Sequence, residues 1–445
     1  IDYIKFSLFC LLGVYFIKNL FLVFFTYYES NFAWGAKADI SKRLFEYYIN
    51  EELSFHTKKN SAYLINSITK EITVFTHLLF HLITFLAEIL IFIGVSLLLI
   101  YYQPMGFLII STISILVIVI YNLITSNKLF ELGQQRQKQD RLLLQKIQQG
   151  LGGIREIKIY NRETSFLKTF QKSNYKLYNI FSLHQIIQKW PRLLLEFSAV
   201  FSLTVVVLVL LNLNFSSNYI ITILGLFALA ASRILPSLMR MYASIQMFKY
   251  GVPAVEQIYN ECLRIKEIKA KSNSEKNSTK NTSSTLEKKL SFNNSIKVQD
   301  VTFSYSNNGE KIFDNVNFDI IKGRFIGIQG PSGSGKSTLV DILLGLLKPN
   351  HGRVLVDDIN IHENLLNWQK KVSYVPQTVF LTDDKLKRNI AFGLDDENID
   401  NKKLQEAVIA SELENFIKSL PSGLETVIGE RGVRLSGGQR QRIGL

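Results

Sequence analysis

The sequence predicts two kinds of domain in one chain: an all-α domain that crosses a membrane several times, followed by a soluble α/β domain. The 445 residues are 47% hydrophobic and 12% aromatic, which is high for a soluble protein of this size. The excess of apolar residues lies before residue 250. After residue 292, a β-rich run, a glycine-rich loop and a helical pattern follow one another, as they do in α/β domains.

Five apolar runs before residue 250 approach or exceed the roughly 20 residues that are needed to cross a hydrocarbon core of about 30 Å. Helices buried in a large soluble domain need neither this length nor so many consecutive apolar residues. We therefore predict five membrane spans. The runs cover residues 4–28, 78–102, 105–124, 193–213 and 219–238.

The basic residues of the connections give the spans an orientation. Residues 29–77 contain six Lys and Arg and residues 127–189 contain twelve, whereas the short connections 103–104 and 214–218 contain none. Cytoplasmic connections carry an excess of Lys and Arg, so both long connections are predicted to be cytoplasmic. Residue 1 then lies outside, and the α/β domain lies in the cytoplasm.

A polar segment separates the two predicted domains. Residues 263–291 are rich in Lys, Ser, Asn and Thr, a composition that buries too little apolar area to favour a packed structure. We assign residues 1–262 to the membrane domain, 263–291 to a flexible linker and 292–445 to the α/β domain. The net charge of +14 lies largely in the cytoplasmic connections and this linker. It fits an anionic membrane surface, and no nucleic-acid partner is expected.

A nucleotide-binding loop is predicted at residues 330–338, which match G-x-x-x-x-G-K-[ST]. The glycines of this pattern let backbone N–H groups surround phosphate oxygens. A β-rich run at 324–329 precedes the loop and helical spacing follows it at 339–347, which places the phosphates at a helix N-terminus. We expect Lys336 to neutralise the β- and γ-phosphates and Ser337 to bind Mg²⁺. The loop consists of Gly330, Pro331, Ser332, Gly333, Ser334, Gly335, Lys336, Ser337 and Thr338.

A second string, Leu-Ser-Gly-Gly-Gln at 435–439, lies about a hundred residues after the loop. Together with its arginine-rich flanks it resembles the signature motif of the ATP-binding cassette (ABC) transporter ATPases, and the resemblance extends from residue 296 to the end. Tyr305 matches the family's adenine-stacking aromatic. Gln377 matches the glutamine that contacts Mg²⁺ and relays the nucleotide state, which makes it the expected catalytic residue. The segment 426–432 is similar to the one that touches the intracellular loops of ABC exporters.

The resemblance implies one half of an ABC exporter. Such half-transporters have six spans, with long cytoplasmic connections between spans two and three and between spans four and five. The long connections here fall at those places if one further span precedes residue 1, so that five of the six spans are present. A cleaved signal sequence is the alternative. Importers usually keep permease and ATPase on separate chains, and the soluble ABC ATPases of DNA repair or translation have no spans.

The resemblance also implies a site shared between two chains. In the family, the signature motif acts in trans and closes over ATP bound to the loop of the partner, which implies a second half-transporter in a homodimer or a heterodimer. Residues 154–163 resemble the second coupling segment of exporters, which docks on an ATPase surface, and residues 53–65 occupy the position of the first. The residues expected to act in trans are Leu435, Ser436, Gly437, Gly438 and Gln439.

Residues that the family places after the signature motif do not occur in this sequence. No apolar run ending in Asp-Glu follows Arg442, and all six histidines precede the motif. The family's magnesium-binding aspartate, the glutamate that polarises the attacking water and the switch histidine would lie there. We therefore expect a sequence truncated at both ends that binds ATP and hydrolyses it poorly, or a degenerate half whose partner supplies the competent ATPase.

Charges within the spans bear on the substrate, because an ionisable group at membrane depth needs a partner or a cavity. One expectation is that Lys18 pairs with Glu88 and that Arg233 reaches the inner headgroups. The other is that Arg233 binds an anionic substrate, since a guanidinium binds phosphate in bidentate fashion.

Strings at 153–158, 232–237 and 380–393 resemble bacterial flippases of lipid-linked oligosaccharides. The resemblance implies ATP-driven export or flipping of an amphipathic, lipid-linked substrate across the bacterial inner membrane by alternating access. Export of lipid A, of peptides or of drugs is the alternative.

Overall fold

The computed structural model describes residues 2–102, 104–213, 215–280, 290–306 and 309–445. The chain divides into two compact units, Ile1–Thr285 and Leu286–Leu445. Residues 263–280, the first part of the predicted linker, continue the last helix of the first unit. A helix that is already nucleated extends readily through Lys, Glu and Ala, which are good helix formers. Residues 281–289 of that linker lie outside the described residues.

The described residues of the first unit are all-α, and five of the helices among them are long and apolar enough to cross a membrane. These are α1, α4, α5, α7 and α8, and they contain the five predicted spans. The helices are α1 (Asp2–Asn50), α2 (Leu53–Lys58), α3 (Ser61–Asn66), α4 (Ile72–Tyr102), α5 (Pro104–Gly152), α6 (Ile154–Ile159), α7 (Glu163–Asn212) and α8 (Ser217–Lys280).

The long helices continue well past their apolar runs. Helices α5 and α7 contain 49 and 50 residues, which corresponds to about 75 Å at a rise of 1.5 Å per residue. The hydrocarbon core of a bilayer is only about 30 Å thick. The polar parts of both helices therefore project beyond the membrane, as the long connections predict.

Short helices occupy both predicted coupling segments. Helices α2 and α3 follow α1, and a π-helical turn at Ser67–Glu71 joins α3 to α4. Helix α6 lies between α5 and α7, where Gly153 and the left-handed Asn161 (φ 49°) interrupt the helix on either side. The docking of these segments on an ATPase stays a prediction.

Two glycines allow the long helices to approach closely. A Cβ atom on Gly251 of α8 would lie 2.6 Å from Cδ1 of Leu78 on α4. A Cβ atom on Gly133 of α5 would lie 2.2 Å from the carbonyl oxygen of Tyr250 on α8. Small residues at helix interfaces are a common means of close packing in membrane proteins. Helix α8 thus packs tightly against both α4 and α5.

A buried ion network joins the π-helical turn to α5. Glu71, which is fully buried, accepts hydrogen bonds from Nη2 of Arg136 at 2.8 Å and from Nδ2 of Asn66 at 2.9 Å. Asp140, one turn after Arg136, accepts from Nζ of Lys70 at 2.6 Å. Arg136 is only 4% exposed and lies between both carboxylates. The network fixes the turn against α5.

The predicted pairing of Lys18 with Glu88 is wrong. Glu88 on α4 accepts instead from Nε of Arg240 on α8, and the ammonium of Lys18 lies 5.1 Å from the ring centroid of Tyr15 on its own helix. The reason is the packing of α4 along α8, where the Ser237 hydroxyl donates to the Glu88 carbonyl oxygen at 3.2 Å. Arg240 lies just past the end of the last apolar run, so the sequence did not indicate it as a partner.

The second unit contains a four-stranded antiparallel sheet in the order β2-β1-β3-β4. The core side of the sheet is formed by Val298, Val301 and Phe303 of β1 and by the consecutive buried residues 354–356 of β3. The strands are β1 (Ser295–Phe303), β2 (Phe313–Ile321), β3 (His351–Val356) and β4 (Ile359–Asn360). The helices are α9 (Lys336–Leu343), α10 (Leu365–Gln369), α11 (Leu386–Ile390), α12 (Asn401–Ala410), α13 (Glu414–Ser419) and α14 (Gly437–Ile443).

The β-rich run at 324–329 does not form a regular strand. A strand requires hydrogen-bond partners on a neighbouring strand, and within the described residues this segment belongs to no ladder. Its side chains Phe325, Ile326 and Ile328 are exposed. The run is apolar, as a buried strand would be. A strand also needs a neighbouring strand to pair with, and composition does not provide one.

Replacement of Arg136 by Met should destabilise the helical unit strongly, because Glu71 and Asp140 would lose a buried cation. Breaking a buried ion pair from one side typically costs about 3–5 kcal/mol. Thermal unfolding of the detergent-solubilised chain measures the effect, and Lys138→Met on the exposed face of α5 is the matched control. Equal melting temperatures for the two variants would contradict the role of the network.

Candidate nucleotide-binding site

The predicted loop lies directly before α9, and two glycines give it its shape. Gly333 (φ 84°) and Gly335 (φ 89°) adopt the left-handed conformation that other residues rarely reach. A Cβ atom on Gly335 would also lie 2.7 Å from Cγ2 of Ile312 and 3.0 Å from Cζ of Phe313. Glycine is therefore required at the point where the loop turns into α9.

Lys336 begins α9 and folds back over the loop. Its ammonium donates to the carbonyl oxygens of Gly330 at 2.9 Å and of Pro331 at 2.7 Å. The first N–H groups of a helix have no intrahelical partner and carry partial positive charge. A cation and a helix N-terminus therefore meet at an exposed loop, which is an arrangement suited to an anion.

Tyr305 lies beside this loop, although the sequence separates them by about thirty residues. Its hydroxyl is 3.2 Å from the Thr338 hydroxyl in the first turn of α9. The ring packs edge-on against Phe303, the buried last residue of β1, with centroids 5.1 Å apart. Strand β1 thus places a half-exposed aromatic ring next to the loop, and the contact of this ring with a base stays a prediction.

The second string forms the N-terminus of α14. Ser436 is the N-cap: its hydroxyl accepts from the backbone N–H of Gln439 at 3.2 Å, and its own N–H donates to Oε1 of Gln439 at 2.8 Å. This capping box explains the serine and the glutamine by helix formation alone. Leu435 and Ile443 anchor the helix in a buried apolar cluster.

The capping box does not explain the two glycines of the string. Gly437 and Gly438 are exposed, and a Cβ atom on either would meet no atom of the described residues within 4 Å. Neither residue has a positive φ. The fold of the unit therefore does not require glycine at these positions, and their N–H groups are open to a partner outside the chain.

Gln377 lies near the second string. It lines a hollow together with Thr378, Val379, Gly437 and Arg440, and Gln441 completes the lining. Thr378 and Arg440 could not be assigned to this hollow from the sequence, because only the fold brings the two segments together.

Two family models match the chain. Residues 313–445 match the model of the ABC transporter, and residues 2–235 match that of the ABC transporter transmembrane region. The chain belongs to the ABC transporter family. The predicted exporter architecture is confirmed, with a helical transmembrane domain followed by an ABC ATPase domain.

Relatives of this ABC transporter include lipid flippases by name. The ATP-dependent lipid A-core flippase of Coxiella burnetii is 43% identical over 151 residues, which cover 34% of this chain and 26% of that protein. The flippase of the same name from Paraburkholderia xenovorans is 25% identical over 414 residues, covering 92% of this chain and 66% of that protein. The uncharacterized ABC transporter ATP-binding protein YfiB of Bacillus subtilis is 27% identical over 424 residues, covering 94% and 71%.

The same fold occurs in a solved structure, that of a bacterial Atm1-family ABC exporter with ATP bound. The TM-score is 0.73 at 18% identity, and the match covers 93% of this chain and 70% of the other. The ABC transporter chain thus spans between about a quarter and about seven tenths of the length of these relatives.

Arg233, the predicted substrate residue of this ABC transporter, lies on α8 and faces α1. Its Nη2 donates to the Tyr15 hydroxyl at 3.0 Å, and Lys18 lies over the ring of the same tyrosine. Within the described part of the chain, neither cation has a carboxylate partner, whereas Arg240 pairs with Glu88. The sequence did not reveal Tyr15, which brings the two cations together.

Proposed function

We propose that this chain is one half of an ATP-driven exporter that flips an amphipathic, lipid-linked substrate across the bacterial inner membrane. The observation that carries the proposal is the loop of 330–338, in which Lys336 and the N-terminus of α9 converge, in the same chain as five helices able to cross a membrane. The ATPase unit would lie in the cytoplasm, on the side of the two lysine-rich connections.

In this proposal the loop residues bind the triphosphate. The backbone N–H groups of 332–337 surround the β-phosphate, and Lys336 exchanges its two carbonyl partners for phosphate oxygens. Ser337 is exposed at the start of α9, and its hydroxyl is an oxygen ligand of the kind that Mg²⁺ prefers. Gln377 lies beside Gly437 in this structure, so its amide oxygen would have to approach Ser337 to supply a second ligand. Tyr305 stacks on the base.

A second half-transporter completes the site. Gly437 and Gly438 present N–H groups that the fold of their own chain leaves open, so we assign them to the γ-phosphate of ATP held by the partner. The Ser436 hydroxyl accepts its capping hydrogen bond and keeps its own proton free for the same phosphate. ATP binding would draw two chains together, and α2 and α6 would transmit the movement so that the cavity alternates between the two sides.

The substrate proposal rests on two cations within the predicted spans, Lys18 and Arg233. A charged side chain at the centre of a membrane helix costs about 2.5–3.5 kcal/mol on insertion scales, and among the described residues both cations contact Tyr15 and neither pairs with an acid. An anionic headgroup such as a phosphate or pyrophosphate would offset that cost by charge-assisted hydrogen bonds. Relatives named as lipid A-core flippases support a lipid substrate.

Replacement of Lys336 by Ala should lower the affinity for Mg-ATP at least about tenfold, because hydrogen bonds to charged groups contribute about 1.5–3 kcal/mol. Equilibrium binding of a fluorescent ATP analogue to the solubilised chain measures this. Lys348→Ala, an exposed lysine that follows α9, should leave the affinity unchanged. An unaltered affinity of the Lys336 variant would refute the assignment of the loop.

Arg233→Met and Lys18→Met should each weaken binding of a pyrophosphate-headed polyprenyl lipid by about 10- to 100-fold, again because each removes a charged hydrogen-bond donor. The corresponding uncharged polyprenol should bind all forms alike. Native mass spectrometry of the chain in detergent micelles compares the lipids, and the exposed Lys189→Met on α7 serves as the control. If Arg233→Met and Lys18→Met left lipid binding unchanged and Lys189→Met alone weakened it, the headgroup would bind at another site.

A further inference from the structure

The short helix α2 is attached to the rest of its unit by few side chains. Phe55 packs on Tyr47 and Tyr48 at the end of α1, with ring centroids 5.9 and 6.0 Å apart. One ring nitrogen of His56 lies 2.8 Å from the carbonyl oxygen of Tyr48. These contacts attach α2 to α1, the helix that precedes it in sequence. The C-terminal end of α2 is attached through the next residue, Lys59.

Lys59, the residue that follows α2, pairs with Glu261 on α8, about two hundred residues later. The Lys59 ammonium donates to Oε1 of Glu261 at 3.0 Å. The same ammonium lies 4.9 Å from the ring centroid of Phe55 and 4.8 Å from that of Tyr63. Lys59 is thereby enclosed by two aromatic rings and one carboxylate, an arrangement that fixes a long side chain in one position.

Glu261 is 1% exposed, so its charge depends on the donors around it. Besides Lys59, the Tyr63 hydroxyl at the start of α3 donates to Oε1 at 2.9 Å, and Arg264 does so at 3.4 Å. Burial, reinforced by Glu261, raises the pKa of Tyr63 to about 12, so this phenol remains a donor at any physiological pH. One buried carboxylate therefore collects three donors from α8 and from both sides of the α2–α3 turn.

The place of Glu261 along the chain gives this contact its significance. Helix α8 is the last helix of the first unit, and the chain proceeds from it to the ATPase unit at 286–445. Helix α2 occupies the predicted first coupling segment. The Lys59–Glu261 pair thus joins α2 to α8. Helix α2 is the segment that would receive a movement from an ATPase unit, and α8 is the helix that leads into the ATPase unit.

We propose that Glu261 is a positioning residue that fixes α2 to α8, so that the first coupling segment and the helix entering the ATPase unit move as one body. The attachment of α2 to α8 rests on the contacts of Glu261 with Lys59 and Tyr63. That the attachment transmits a movement caused by ATP rests on the proposed function. Without the carboxylate, the contacts described above still hold α2 to the end of α1 through Phe55 and His56, but Lys59 no longer ties it to α8.

The attachment is tested without nucleotide by measuring the distance between spin labels on α2 and α8. Labels at Thr57→Cys and Glu267→Cys, both exposed, are placed in a background in which Cys10 and Cys262 are replaced by Ser. The reference should give one narrow distance distribution. Glu261→Gln and Lys59→Met should broaden it at least twofold, whereas Lys59→Arg and the neighbouring Lys58→Met should not. Equal widths in all forms would overturn the attachment.

The transmission is tested by the response of the Thr57 label alone to Mg-ATP. The reference should show a change in label mobility that Glu261→Gln and Lys59→Met abolish, while ATP affinity, measured separately, stays the same. A variant that keeps the full response would overturn the positioning role. If the reference binds ATP but shows no response, transmission through α2 is refuted and the nucleotide site stands. If it binds no ATP, the proposed function fails, and the distance widths still decide the attachment.

Discussion

Buried carboxylates that require a cation from a neighbouring helix set the register of the helical unit. Glu71, Glu88 and Glu261 are between 0 and 8% exposed, and each pairs with a cation from a different element: Arg136 of α5, Arg240 of α8 and Lys59 after α2. Apolar surface tolerates sliding between helices, whereas a buried charge displaced from its partner is strongly unfavourable. These pairs therefore specify which turn of each helix faces which turn of the next.

The same requirement distinguishes structure from function in the unit. The charge of Arg240 is balanced by the carboxylate of Glu88. In the described part of the chain, Lys18 and Arg233 instead contact the same uncharged residue, Tyr15, and pair with no carboxylate. In the ATPase unit the contrast lies in backbone geometry. Gly335 is required by its own fold, through its φ and through Ile312 and Phe313, but Gly437 and Gly438 are not. Features that the fold leaves unexplained are those that we assign to substrate and partner.

Much of this could be predicted from the sequence, because it depends on local pattern. The five spans followed from run length and the loop from its glycine spacing. The partner of Glu88 could not be predicted, since Arg240 is distant in sequence and is selected by helix packing. The run at 324–329 shows the same limit, because apolar composition does not provide a pairing strand. The approach of Tyr305 to Thr338 and of Gln377 to Gly437 also depends on the tertiary fold.

In the proposed transporter, the loop of one chain and the signature motif of another close over the same nucleotide. Disulfide formation between two copies tests it most directly, one carrying Ser332→Cys and the other Gly438→Cys, both lacking Cys10 and Cys262. We expect a crosslinked dimer that forms with Mg-ATP and not without it, and that is lost when Lys336 is replaced by Ala. Crosslinking that is independent of ATP, or no crosslinking at saturating ATP, would rule out a nucleotide site shared in this way.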